Sequence, residues 1–194
     1  MIDNYFSYMD VAPGMFIYIR VTAVLIVPVL FHRPTFNREY EKFWQRPGET
    51  PLMWIGLLFG FLGTAIHFGS SRQRYDSGQT FHSGTALPNP LVGFYREKIV
   101  QCLVQANYPK CPPYTLETMM SYLVMEYWRF PNAQFGSWVI VGMIVRTAFR
   151  MGYHRDPSRF PNISPFKAEM RRRLWTMIVQ LDLMSSAQMG LPST

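Results

Sequence analysis

The sequence predicts an all-α fold, and three observations carry that expectation. Apolar residues recur at three- and four-residue steps over several long stretches. Short proline-containing links separate those stretches, and none sustains the one-in-two alternation of a half-buried strand. With 48% hydrophobic and 16% aromatic residues, a chain of 194 residues has enough apolar surface to close one substantial core, which excludes a disordered chain.

In chain order, residues 1–34 read as an N-terminal segment and residues 35–194 as the helical domain. Residues 15–31 are an apolar run interrupted by Arg20, with helix and strand tendencies in conflict. Thr50 and Pro51 read as a cap and first-turn pair for an uncharged helix over residues 52–68, ending at Gly69-Ser70-Ser71. Gly56, Gly60 and Gly63 lie inside that helix, where close packing accounts for them. Residues 70–88 are polar, rich in Ser and Gly, and read as a loop.

Asn89-Pro90 opens a helix whose Leu91, Tyr95, Ile99, Cys102, Leu103 and Ala106 share a face until Tyr108-Pro109 and Pro112-Pro113. Thr115 reads as the cap of the next helix, with Leu116, Met119, Met120, Leu123 and Tyr127 along one side and Phe130-Pro131 as its stop. Residues 135–151 form a further helix, closed by Gly152 in the left-handed conformation. Asp156-Pro157-Ser158 then turns the chain. Ser164 caps the last helix and Pro165 starts it, with Phe166, Met170, Leu174, Met177, Ile178 and Leu181 as its buried stripe.

No catalytic constellation emerges. His154-Arg155-Asp156 has the wording of a kinase catalytic loop, but Pro161 stands where the magnesium-binding Asn belongs, and neither a glycine-rich loop nor Asp-Phe-Gly accompanies it. Asp156 fits a cap or a partner for a nearby arginine. His32, His67, His82 and His154 lack metal-ligand spacing, and Cys102 and Cys111 are too few for a zinc cluster or a disulfide framework. The expectation is therefore no enzyme, no metal site and no bound cofactor. A membrane reading would use residues 15–31 and 52–68, but three glycines and His67 punctuate the latter, which suits a central core helix.

A net charge of +7 favours acidic partners, such as nucleic acid, acidic protein surfaces or anionic lipid. Arg171, Arg172 and Arg173 concentrate that charge, and Arg171 and Arg172 are the candidate DNA-contact residues. Successive helical residues point about 100° apart, however, so the three cannot form one claw and one of them is expected to turn inward. Structural pairing with Glu169, Glu126, Asp182 or helix C-terminal carbonyls is the competing expectation, Glu169 with Arg173 being one turn apart.

The wording from Arg150 to Trp175, Arg-Met-Gly-Tyr-His-Arg-Asp-Pro-Ser followed by Ser-Pro-Phe-Lys-Ala-Glu-Met-Arg-Arg-Arg-Leu-Trp, closely resembles one family. That family is the fungal-specific transcription factor domain, the xylanolytic-activator-type regulatory domain found downstream of a six-cysteine zinc cluster. Met9-Asp10-Val11-Ala12-Pro13, Phe31-His32-Arg33-Pro34-Thr35-Phe36, Tyr114-Thr115-Leu116-Glu117 and Gly190-Leu191-Pro192-Ser193 extend the likeness. The resemblance implies a nuclear, non-enzymatic regulatory domain that touches DNA only through a zinc-cluster module not carried by this chain. Homo- or hetero-dimerisation, co-regulator contact and effector response are the implied modes of action. Similar proteins lack the extra apolar piece near residues 14–27, read here as an insertion or retained intron, and continue past residue 194 with further helices. A truncated domain, whether a shortened regulator that pairs with a partner or a non-functional gene-model fragment, is expected to leave apolar faces on residues 52–68 or 177–184 uncovered.

Overall fold

The computed structural model describes residues 32–76, 90–129 and 134–194. Among them are six α-helices: α1 (Arg33–Gln45), α2 (Leu52–Asp76), α3 (Pro90–Gln105), α4 (Thr115–Arg129), α5 (Gln134–Arg150) and α6 (Pro165–Met189). Short 3-10 turns at Pro47–Glu49, Tyr108–Lys110 and Pro157–Arg159 link them, and no strand is present among the described residues. The all-α expectation holds. The proposed insertion at residues 14–27 lies outside the described residues.

The three glycines of α2 set the register of the core. A Cβ on Gly56 would stand 2.9 Å from Thr118 Cγ2 and 3.0 Å from Cys102 Cβ, and one on Gly60 would stand 2.7 Å from Ser121 Cβ. One on Gly63 would meet Met125 Sδ at 3.1 Å and Tyr95 Cβ at 3.3 Å. Ascending α2 numbers therefore face ascending numbers on α4 and descending ones on α3, so α2 runs parallel to α4 and antiparallel to α3. The Thr118 hydroxyl, inside this seam, lies 2.7 Å from the Met53 carbonyl of α2 and 2.8 Å from the Tyr114 carbonyl of its own helix, so its one hydrogen is shared between helices. Arg96 on α3 is held against α4 by Glu126 and by the Tyr122 hydroxyl at 3.1 Å.

One core joins Met53 of α2 to Ile99, Leu116, Met120, Ile144 and Ile178, one or more residues from each of α2 to α6. A second, smaller core is aromatic: Phe36 of α1 packs on Trp54 and Phe61 of α2 at centroid separations of 5.6 and 4.5 Å.

Several local expectations are corrected. Helix α2 does not stop at Gly69-Ser70-Ser71 but runs to Asp76, since Gly69 keeps helical φ and does not adopt the left-handed conformation by which a glycine closes a helix. Residues 77–88, the rest of the expected loop, and Asn89 of the expected helix start lie outside the described residues. Thr50 and Thr115 do not cap: their hydroxyls reach back to the carbonyls of Arg46, at 3.5 Å, and of Pro112, at 2.6 Å. Leu91 is 52% exposed and Val92 takes its core place, the stripe advancing three residues to Tyr95 instead of four. Phe166 is 45% exposed, since the first turn of α6 faces the start of α1, where its ring meets His32 at 4.6 Å. Helix α4 is buried on more than one side, Val124 and Met125 joining the expected residues, because it sits between α2, α3 and α5. The apolar 52–69 stretch is long enough to cross a membrane, yet more than half of it is buried inside the protein. Met177, Ile178 and Leu181 are covered, while Val179 and Leu183 face outward.

Candidate functional site

The Arg150–Trp175 wording folds into a clasp between α5 and α6. Gly152, at φ 70°, ends α5: its amide donates to the Phe149 carbonyl and the Tyr153 amide donates to the Ala148 carbonyl, each at 2.9 Å. This paired pattern is a Schellman closure and requires a left-handed residue, which explains the glycine. It also swings Tyr153 back beneath the helix end. The Asp156 carboxylate then accepts the Ser158 amide at 2.8 Å, bending the chain into the Pro157–Arg159 turn with Pro157 buried. Ser164 begins α6 as expected, its hydroxyl accepting the Lys167 amide at 3.3 Å.

From α6 the three arginines diverge. Arg171 turns inward: its guanidinium lies 3.9 Å over the Tyr153 ring and 5.0 Å from that of Phe160, and Nη2 donates to the Met151 carbonyl at 2.6 Å. That carbonyl belongs to the negative end of α5, so cation, helix dipole and orphan acceptor reinforce one another. Arg172 turns outward and forks onto Asp156 at 3.2 and 3.4 Å, holding its carboxyl well below the usual carboxylate range together with the Ser158 amide. Arg173 pairs with Glu169 at 2.9 Å on its own helix. The two candidate DNA-contact residues thus occupy different environments, and both have partners within the chain.

The other expected partners behave differently. Glu126 binds Arg96, and buried Asp182 accepts the Thr194 amide at 2.7 Å and its hydroxyl at 3.1 Å, tying the return after Gly190 to α6. Gly190 repeats the Schellman closure, with Leu191 donating to Ser186 at 3.0 Å. Sequence reasoning missed Tyr153, Phe160 and Glu117. Burial pushes the Glu117 carboxyl above its ordinary range, and its charge adds to burial in pushing the Tyr153 hydroxyl up to about 12. The aromatic placed directly after the helix-ending glycine was the available signal for Tyr153.

The residues whose wording suggested a catalytic loop have partners within the chain. Exposed His154 lies against the Phe149–Trp175 ring pair, at 5.2 and 6.4 Å, and Asp156 is committed to Arg172. Cys102 is buried, burial raising its thiol, and Cys111 is half-buried; both are free. Among the described residues no three His, Cys, Asp or Glu side chains could hold a metal together.

What the clasp's wording identifies is a lineage. The profile of the family described as "Fungal specific transcription factor domain" matches residues 2–194. The chain belongs to this family. It is 54% identical over 86% of its length to the Zn(2)-C6 fungal-type transcription factor pigI of Monascus ruber, covering 20% of that protein. It is 43% identical over 99% of its length to the Zn(2)-C6 fungal-type transcription factor mpsB of Macrophomina phaseolina (strain MS6), covering 23%. With the equisetin cluster transcription factor eqxF of Fusarium heterosporum it shares 43% identity over 85% of the chain and 24% of that protein. No solved structure matches. The chain thus spans about a fifth to a quarter of these relatives. A Zn(2)-C6 cluster needs six thiolates, and a fungal specific transcription factor domain with only Cys102 and Cys111 does not supply them.

Proposed function

We propose that this chain is the regulatory segment of a nuclear fungal gene regulator, acting by protein contact or effector-dependent masking and not by catalysis. The profile match across residues 2–194 is the observation that carries this reading. The clasp supports it, since Arg171, Arg172 and Arg173 each bind a partner within the chain and serve to hold its outer helices. Several relatives are named as transcription factors of metabolite clusters, equisetin and fusarisetin A among them, and we place the parent regulator in that kind of control. DNA is reached through a separate zinc-cluster module, and the segment itself needs no metal, cofactor or membrane. Dimerisation or a co-regulator is its proposed partner mode, and residues 14–27 are an insertion that the helical domain does not need.

The test is a fusion of the 194-residue chain to an unrelated DNA-binding module in a fungus carrying a matching reporter. A regulatory segment raises or lowers reporter output relative to the module alone, and Gly60→Val, which unseats the core seam, abolishes the difference. Output identical to that of the module alone, from a fusion confirmed to accumulate, defeats the regulatory reading. Removal of residues 14–27 leaves the output unchanged if that piece is an insertion.

A further inference from the structure

The outward side of α5 carries an unusual stripe. Phe135, Val139 and Met143 are 61%, 40% and 39% exposed, although α5 is otherwise a core helix. Arg146 and Arg150 continue the stripe toward the C-terminus, both exposed, and among the described residues neither meets a carboxylate. At about 100° per residue these five positions fall within an arc of about 80°. One face is therefore apolar over its first two turns and cationic over its last two. The clasp fixes this face relative to α6, whose outward Val179 and Leu183 add exposed apolar surface to the same pair of helices.

Exposed Phe, Val and Met in register lose water contact favourably only against another apolar face, and two unpaired arginines in line with them select the sign of that partner. We propose that the outer face of α5 docks an acidic amphipathic helix of a partner protein, its apolar residues covering Phe135, Val139 and Met143 and its carboxylates meeting Arg146 and Arg150. An amphipathic partner helix carries its anchors at i, i+3, i+4 and i+7 along one face, and Phe135, Val139 and Met143, about one turn apart along α5, give those anchors an apolar strip to lie on. A nucleic acid would use the arginines but has no use for the three apolar side chains, so protein is the favoured partner. This inference stands on the α5 surface and is independent of what the chain does to a reporter.

The probe is a synthetic, fluorescently labelled peptide of about 20 residues, with leucine at the i, i+3, i+4 and i+7 positions and aspartate or glutamate elsewhere. It is titrated into the full chain beside a scrambled peptide of identical composition. Saturable binding of the patterned peptide is expected, at least about tenfold tighter than the scrambled one. Arg146→Glu with Arg150→Glu should weaken it at least about tenfold, and a peptide with lysine in place of its acids should bind this charge-reversed chain. Val139→Asp with Met143→Asp should abolish binding while circular dichroism shows the helical fold intact. Absence of binding, equal affinity for the two peptides, or insensitivity to charge reversal would overturn the proposal. So would random duplex DNA that competes with the peptide and depends on the same arginines, which would assign the face to phosphate.

Discussion

The α2/α4 seam and the α5/α6 clasp join helices by opposite means. The seam is made by omission, three glycines letting two backbones approach until only Thr118, Ser121 and Met125 fit between them. The clasp is made by addition, one arginine inserted between two rings and a second forked across a turn. Volume governs the first and charge geometry the second. The difference teaches that the position of the central helices is protected against any added atom, whereas the outer pair depends on a few polar groups of which only the inner one is desolvated.

The seam should give the largest effect. A side chain at Gly60 meets the root of Ser121, 2.7 Å from its Cβ, which moves only with the backbone of α4. Gly60→Val is expected to cost about 3 kcal/mol or more in urea unfolding, while Gly63→Ala meets the flexible end of Met125 and should cost about 1 kcal/mol. Equal losses at the two positions would show that the seam does not discriminate by what it faces.

Arg171→Met comes next. It retains aliphatic bulk between Tyr153 and Phe160 but removes the cation and the donor to the Met151 carbonyl, leaving a helix-end acceptor unpaired. About 2 kcal/mol is expected, from the combined loss of the hydrogen bond and the cation–ring contact. An unchanged unfolding midpoint would mean that the inner half of the clasp only fills space.

Glu117 sharpens the comparison from the side of pH. It keeps some exposed surface, yet burial raises its carboxyl, so the folded chain holds this proton more tightly than the unfolded one. Stability from this group is then greatest below the ordinary carboxylate range and declines as pH rises from there through the raised value. Glu117→Gln should flatten that decline and raise the melting temperature at neutral pH, with little change in acid. A variant that loses stability equally at every pH would instead make Glu117 a hydrogen-bonding structural residue.

The division between what the sequence revealed and what it concealed follows the same physics. Local codes were legible: Gly152 as a left-handed stop, Ser164 with Pro165 as a start, Glu169 with Arg173 one turn apart, and an arginine of the triplet turning inward. The first three are decided by near neighbours in the chain, and the inward arginine by the step of about 100° between successive helical residues. Helix α1 is signalled by Pro34 in its first turn and by Phe36, Tyr40 and Phe43 at helical steps, but the apolar run of mixed helix and strand tendency before it masks where it begins. The partners of Glu126 and Asp182 were misread because Arg96 lies 30 positions away and Thr194 12 positions away, distances at which charge sign cannot choose among candidates. Membership of the family was legible in motif wording, but the clasp those motifs build emerged only in three dimensions.

The smallest effect belongs to Arg172, and it separates the two arginines most clearly. Its fork on Asp156 is exposed to water at both ends, so solvent screens what the guanidinium gains and the pair offsets little of the side-chain entropy lost in forming it. The Asp156 carboxyl is depressed first by Arg172 and next by the Ser158 amide, so its stabilisation is complete above the ordinary carboxylate range and fades as pH falls toward its lowered value. Arg172→Ala should therefore lower the melting temperature slightly at neutral pH, by much less than Arg171→Met, and the gap from the parent chain should close in strong acid. Salt near about 1 M should shrink it further, leaving the Arg171 effect largely intact. Equal losses from the two substitutions, or a gap that widens in acid, would show that the outer fork bears as much of the α5/α6 junction as the inner stack and would dissolve the distinction between them.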